Sequence, residues 1–211
     1  INRLGFNNDG SDLVKKRIES NLPKSLLGIN IGPNKTTKDM SQDFLSCAET
    51  FFPLGDYITI NISSPNTEGL RDFHNHEKLH NLLVALNKIK KEKKTNIPLL
   101  LKVSPDIEDS DISEIVKVSI KNNISAIILT NTTNGNRKNL LNNTKKEEGG
   151  LSGKPLQEIS TYMIKKFFKE LNGTIPIIGV GGINSGRSAY EKIVAGASLL
   201  QLYTGFIYKG P

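Results

Sequence analysis

The residues best suited to chemistry lie in one short run, Asn61-Ile62-Ser63-Ser64-Pro65-Asn66-Thr67. Asn61 and Asn66 each offer an amide donor pair and an acceptor, and Ser63 and Ser64 offer hydroxyls. None is charged, so the run suits a flat, neutral ligand with several polar groups, such as an amide-bearing ring. The run follows Tyr57-Ile58-Thr59-Ile60, which alternates like a strand and ends ahead of Pro65. By composition alone it also reads as an ordinary polar turn, because Ser, Pro and Asn dominate turns. The other strand ends decide in favour of a ligand site.

Asn30, Asn61, Ser64, Asn66, Lys102, Thr130, Asn131 and Thr132 all fall at or just past the carboxyl ends of predicted strands. In α/β folds that edge is where ligands sit. Lys102 ends a strand otherwise made of Leu and Val, where an unpaired ammonium is costly. It is expected to be buried and to want an anionic ligand; the competing reading is a strand-end lysine that snorkels to water. Gly179-Val180-Gly181-Gly182-Ile183, followed by Ser185-Gly186, is a glycine-rich strand-to-helix turn whose backbone N–H groups suit a phosphate. Gly149–Gly153 and Tyr203-Thr204-Gly205 add further amides and hydroxyls. The glycine spacing is not the dinucleotide G-x-G-x-x-G fingerprint, and no acidic residue closes a following strand. A mononucleotide such as FMN fits better than NAD.

The elements that must position these groups alternate between strand and helix. Strands are predicted at Leu26–Gly32, Tyr57–Ile62, Pro98–Val103, Ala126–Thr130, Ile175–Val180 and Leu199–Tyr203. Between them lie amphipathic helices. Leu13, Val14 and Ile18 share one face, as do Phe44, Leu45, Ala48 and Phe52 of the segment Lys38–Phe52. Glu77–Lys94 is the clearest helix, with Leu79, Leu82, Leu83, Leu86 and Ile89 in one stripe. Ile112, Ile115, Val116 and Ile120 are expected inward on the next, and further helices run from Pro155 to Leu171 and up to Ala195. The alternation predicts parallel βαβ units. Six strands give either an open doubly wound sheet or a (β/α)8 barrel lacking its first two strands.

The totals narrow the class. At 211 residues, with 36% hydrophobic and 23% charged, the chain has room for one sizeable domain, and no boundary or repeat is visible. The net charge of +7 invites a nucleic-acid partner. However, the lysines gather at helix ends and loops, notably Lys88 to Lys94, and no stacking aromatics are interleaved with them. A solvated basic surface, of a kind that suits anionic lipid, is favoured and no nucleic acid is expected. The single cysteine, Cys47, rules out an internal disulfide and a multi-cysteine metal site, and is expected to be a buried structural thiol. His74, His76 and His80 lack a third acidic ligand in a zinc-protease pattern, so they are read as surface residues and no metal is expected. The chain shows no signal peptide and no apolar run long enough to span a bilayer.

Taken together, Asn2-Arg3-Leu4-Gly5-Phe6, Asn61-Ile62-Ser63-Ser64-Pro65-Asn66, Lys102, Thr130-Asn131-Thr132-Thr133, Gly149–Gly153, Gly179–Ile183 and Gly196-Ala197-Ser198 through Tyr203-Thr204 resemble dihydroorotate dehydrogenase along essentially the whole chain. The resemblance implies a (β/α)8 TIM barrel with FMN at its mouth, of which about six βα units are present. It implies an oxidoreductase that converts dihydroorotate to orotate in pyrimidine biosynthesis. Soluble class 1 enzymes of the family use a cysteine as catalytic base. Ser64 at that position resembles the membrane-associated, quinone-reducing class 2.

By this resemblance Ser64 is the catalytic base, taking a proton from C5 of dihydroorotate while hydride leaves C6 for the flavin. Asn2, Asn61, Asn66 and Asn131 are implied to hold the pyrimidine and its carboxylate, aided by Arg3, Leu4, Gly5, Phe6 and Thr132. Asn30, Asn61, Lys102 and Thr130 are implied to contact the flavin, and Gly153, Gly182, Tyr203 and Thr204 its phosphate. A serine is a poor base at its ordinary pKa, so a hydrogen-bonded network must activate it.

The family's early strands, with a further lysine, lie upstream of Ile1, as does the N-terminal segment that docks on the membrane and guides quinone. A C-terminal helix is expected beyond Pro211. Residues 1–211 are therefore expected to be one FMN-binding barrel domain, incomplete at both ends. Its expected place is the face of a bacterial cytoplasmic membrane or, alternatively, the mitochondrial inner membrane. The competing readings are another FMN barrel acting on a pyrimidine, of dihydrouridine synthase or dihydropyrimidine dehydrogenase type, and a non-catalytic phosphate-binding scaffold.

Overall fold

A computed structural model describes residues 1–135, 137 and 140–210. Asn136, Lys138 and Asn139 of the polar loop expected before Gly149, and the expected boundary Pro211, lie outside the described residues. Six parallel strands form one sheet: β1 (Gly28–Ile31), β2 (Tyr57–Asn61), β3 (Leu99–Val103), β4 (Ala126–Leu129), β5 (Ile177–Val180) and β6 (Leu199–Gln201). The connecting helices are α1 (Ser11–Ser20), α2 (Met40–Phe51), α3 (His76–Glu92), α4 (Asp109–Lys121), α5 (Gln157–Leu171) and α6 (Gly186–Val194). A short α7 (Thr204–Lys209) closes the described chain.

The strand order is β1-β2-β3-β4-β5-β6 without a reversal. A doubly wound sheet reverses direction at a switch point, and this one does not. Consecutive right-handed crossovers place every helix on the same side of the sheet. The packing follows that rule. Ile58, Ile60, Leu99, Leu101, Val103, Ile127, Leu129 and Ile177 join helix residues in the main core. The opposite, concave face carries only a small cluster of Leu100, Ala126, Ile128 and Ile178. Register sets this concave face in rows: Thr59 lies beside Leu100 and Leu100 beside Ala126, and Asn61 lies beside Lys102 and Lys102 beside Ile128. The sheet is thus a curled, partial barrel with six of the eight strands that closure requires.

Each helix is fixed by its ends and one apolar face. The Asn75 side chain caps α3 by accepting the Glu77 and Lys78 N–H groups, and Lys90 and Lys91 in the last turn favour the negative end of the dipole. All five residues of its expected stripe are buried, each contributing about 1.5–3 kcal/mol of transfer free energy. Asp39 caps α2, which buries Phe44 and Ala48, with Phe52 just beyond its end; Leu45 is only half-buried. Ser185 and Ser188 form a reciprocal capping box on α6.

Four expectations are corrected. Leu26 is 82% exposed, so β1 begins at Gly28, where the Tyr57 ring occupies the space a Cβ would fill, at 2.0 Å. Ile120 is 43% exposed because α4 buries Val118 and Ser119 instead. His74 is not a surface residue: it is buried at the end of a 3-10 turn, Leu70–His74, that also buries Leu70 and Phe73. Cys47 is half-buried, and burial, reinforced by the charge of Asp43, pushes its thiol pKa up.

Candidate active site

The carboxyl ends of the strands open on a cleft of about 640 Å³, a volume ordinary for small-molecule and cofactor sites. Asn30 reaches it from β1, Asn61 from β2, Ser64 and Asn66 from the loop after β2, and Lys102 from β3. Thr130, Asn131 and Thr132 follow β4, Gly153 precedes α5, Gly182 follows β5, and Tyr203 and Thr204 follow β6. Asn2, Leu4, Gly5 and Phe6 contribute to the remaining wall. Of the residues to which the resemblance gives a role in substrate or flavin binding or catalysis, Arg3 alone lies off this wall. Its guanidinium donates to the Glu147 carboxylate at 2.9 Å, with both side chains more than half exposed, a surface pair of little energetic weight.

The amides form one connected network. Asn61 Oδ1 accepts from Ser63 Oγ at 2.8 Å and from Asn131 Nδ2 at 3.2 Å, and Asn61 Nδ2 donates to Asn30 Oδ1 at 3.1 Å. The other Asn131 N–H goes to Ser63 Oγ at 3.0 Å, and Asn131 Oδ1 accepts the Thr132 N–H at 2.7 Å. This fixes three strand ends relative to one another and orients the amides of Asn30, Asn61 and Asn131. It leaves one Asn61 N–H and the Asn30 amide nitrogen without a protein partner among the described residues, so these donors remain for a ligand.

A second set of bonds holds the amino-terminal segment over the serine loop. Asn2 and Gly150 exchange backbone bonds of 3.0 and 2.8 Å, and Asn66 Nδ2 donates to Asn2 O at 3.3 Å. Ser64 is buried, 7% exposed, and its Oγ accepts the Asn66 backbone N–H at 3.3 Å. No described imidazole, ammonium or carboxylate bonds to Ser64. Thr67 Oγ1, three positions on, is buried without a partner.

Lys102 is half-buried rather than fully enclosed, and desolvation lowers its pKa. Its ammonium lines the cleft and has no hydrogen-bond or ionic partner among the described residues. Across the cleft the glycines are there for steric reasons. Gly182 has φ +75°, and a Cβ there would lie 2.5 Å from Gln157 Cα. A Cβ on Gly205 would lie 2.4 Å from Ile183 O. Thr204 Oγ1 donates to Ser152 Oγ at 3.1 Å, joining the last strand end to the loop before α5.

Two supports were not singled out in the sequence. Arg71 pairs with Asp106 at 3.1 Å, and Asp106 in turn accepts Thr133 Oγ1 and, at 2.9 Å, the Asn134 N–H. This ties the loops after β2, β3 and β4 together. His74 donates from Nδ1 to Arg71 O at 2.8 Å and accepts the Ser104 N–H on Nε2 at 3.4 Å, which requires the neutral imidazole. The second support is Lys192 on α6, wholly buried beneath the glycine turn.

Consecutive parallel strands, helices on the convex side and a cleft at the strand ends define a portion of a ligand-binding (β/α)8 barrel. The family model for dihydroorotate dehydrogenase matches residues 1–211, and the chain belongs to that family, one of flavoenzymes. It is 47% identical to the dihydroorotate dehydrogenase (quinone) of Idiomarina loihiensis and 46% identical to that of Akkermansia muciniphila, in each case along the whole chain. It spans 65% and 63% of the length of those two relatives. Among solved structures, the Eimeria tenella enzyme in complex with ferulenol superposes with a TM-score of 0.93 at 34% identity. That match covers all of this chain and 63% of the solved one.

Proposed function

We propose that the chain forms the flavin- and substrate-binding part of a quinone-dependent dihydroorotate dehydrogenase, oxidising (S)-dihydroorotate to orotate with FMN as its flavin. One observation carries this reading: Ser64, the linked amides of Asn61 and Asn131, the unpaired Lys102 ammonium and the Gly181–Gly182 turn all face one cleft. The residues fit the cofactor on two counts. Lys102 is a cation without a counter-charge among the described residues, suited to an electron-rich ring edge. The glycine turn admits no side chain and presents backbone to a phosphate.

Asn30, Asn61, Lys102 and Thr130 would hold the flavin ring and ribityl chain, and Gly153, Gly182, Tyr203 and Thr204 the phosphate. When bound, FMN supplies the two-electron acceptor that takes hydride from C6 of the substrate. Asn2, Asn66, Asn131 and Thr132, with Asn61, hold the pyrimidine by donors and acceptors that two sets of bonds orient, one through Asn61 and Asn131 and one through Asn2 and Asn66. Leu4, Gly5 and Phe6 wall the ring from water, whereas Arg3 serves the surface. Ser64 Oγ takes the proton from C5. The Asn66 N–H directed at that oxygen favours its deprotonated form.

The relatives' names include quinone as acceptor, and the same acceptor is proposed here. No described helix is long and apolar enough to cross a membrane. The proposed association is peripheral, through a segment outside this chain, at a bacterial cytoplasmic membrane. The test is an anaerobic titration of the full-length protein with dihydroorotate, followed by flavin absorbance. Bleaching that a quinone reverses, but fumarate and NAD do not, is the expected result. A bound flavin that stays oxidised would overturn the reading.

A further inference from the structure

Lys192 is the one lysine among the described residues that is fully buried, at 0% exposure, yet it forms no ion pair. Its Nζ donates to Ser160 Oγ at 3.0 Å, to Thr161 Oγ1 at 3.1 Å and to Gln157 O at 3.3 Å, all on the first turns of α5. Its neighbour Glu191 is otherwise engaged, accepting from Gln157 Nε2 at 2.7 Å and from Arg187 Nε at 3.3 Å. A cation beside a helix amino terminus is the unfavourable polarity for the dipole, and burial adds to the cost. Three neutral hydrogen bonds satisfy its protons without neutralising it. Burial pushes its pKa down to about 8, opposed by the charge of Glu191, which approaches without forming an ion pair, so the ammonium is still mostly charged at neutral pH.

This charge is connected to the cleft-lining turn through Ser160 and Gln157. Ser160 Oγ accepts from Lys192 and passes its own proton to Val180 O at 2.6 Å, the carbonyl that also accepts the Thr130 N–H at 2.9 Å. Gly181 and Gly182 follow directly and pack on the same two α5 residues. A Cβ on Gly181 would meet Ser160 Cβ at 2.9 Å, and one on Gly182 would meet Gln157 N at 2.6 Å. The ammonium thus stands behind the glycine turn, on the side away from the ligand, in surroundings that screen it little.

We infer that Lys192 is a positioning and charge-supplying residue for the phosphate of the bound mononucleotide, its missing counter-charge being the phosphate itself. It acts through Ser160 and Gln157 by holding the turn, and through space by offsetting the dianion. This rests on the proposed phosphate site at Gly182, and the test separates the two. Apo full-length protein is titrated with FMN and with riboflavin, which lacks the phosphate, by quenching of flavin fluorescence. Wild type is expected to prefer FMN strongly. Lys192→Met, close in shape, and Lys192→Gln, which keeps a donor, should each weaken FMN on the order of tenfold or more while riboflavin affinity moves less than about twofold. Ser160→Ala, which removes the contact but leaves the charge, should keep most of the FMN preference.

An equal fall for both flavins, or no fall in either variant, with wild-type preference intact, would overturn the role of Lys192 alone. A wild type that binds FMN and riboflavin equally would overturn the phosphate site and this inference together. If Lys192→Met does not fold, Lys192→Gln and Ser160→Ala still decide the outcome.

Discussion

Asn131 donates an amide hydrogen to Asn61 Oδ1 at 3.2 Å across 70 positions of sequence, with Ser63 Oγ bonded to both. The contact joins the end of β2 to the end of β4 over β3. Replacing Asn61 by Ala strips partners from Asn30, Ser63 and Asn131 at once. An unsatisfied buried group costs about 1–3 kcal/mol, so Asn61→Ala is expected to lower stability by at least ~2 kcal/mol, read as a shifted urea midpoint at unchanged m. Asn30→Ala breaks one bond only, and should cost about 1 kcal/mol.

Ser64→Ala tests the base. The change removes one oxygen and leaves the Asn66 N–H unpaired, a minor structural loss. Flavin content is expected to stay at the wild-type level while turnover with dihydroorotate falls about 10²–10⁴-fold. Stopped-flow reduction of the bound flavin is the measurement. Wild-type reduction rates in the variant would remove Ser64 from the mechanism.

Lys102 separates binding from stability. Its ammonium has no hydrogen-bond or ionic partner among the described residues, and its pKa is lowered by desolvation. Lys102→Met is therefore expected to stabilise the flavin-free protein, by on the order of 1 kcal/mol, and to weaken the hold on flavin. Opposite signs in thermal melts taken with and without FMN would be diagnostic. A destabilised apo variant would mean that the lysine has a protein counter-charge after all.

The glycine turn makes a steric prediction. Gly182→Ala places a Cβ 2.5 Å from Gln157 Cα at φ +75°. Left-handed backbone alone costs a non-glycine residue about 1–2 kcal/mol, and the clash adds to it. Loss of at least ~2 kcal/mol and of FMN binding is expected. Gly186→Ala, at the first position of α6 with nothing within 4 Å of the new Cβ, should be neutral or gain up to about 1 kcal/mol.

How far the sequence reaches is clear from where these residues lie. Asn61, Ser64, Lys102, Asn131 and Gly182 were legible because buried parallel strands read as apolar runs that stop at polar or glycine residues. Those stops are what line the cleft. Alternation alone does not choose between doubly wound sheet and barrel, since strand order is a property of crossovers rather than of any one segment; the resemblance chose the barrel, and the strand order bears it out. Lys192 went unnoticed because Glu191-Lys192 reads as a solvated pair. Its burial depends on Gln157, Ser160 and Thr161, more than 30 positions away. One cue was present: Ser188, Lys192 and Ala195 are all nearly or fully buried at helical spacing, but Ser and Ala carry no apolar signal. Arg3 stands apart from the others. It adjoins true wall residues, but its side chain points to Glu147.

His74 makes the acid limit of the fold predictable. Burial pushes its pKa down to about 4 from 6.5, the charge of Arg71 adding to the fall and the Arg71 carbonyl and Asp111 opposing it. Folded protein thus favours the neutral ring, whereas the unfolded chain protonates near pH 6.5. The unfolded state binds more protons between these values, so the stability due to His74 is full above pH 6.5 and lost as pH falls toward 4. Between pH 7 and pH 5 the loss is expected to be about 2 kcal/mol. Protonation would set a second donor against the Ser104 N–H and loosen the loop that carries Asp106. Urea midpoints of wild type and His74→Asn at the two pH values measure it. The variant should start less stable at pH 7 and lose less on acidification. Parallel losses in the two proteins would assign the acid sensitivity to carboxylates instead.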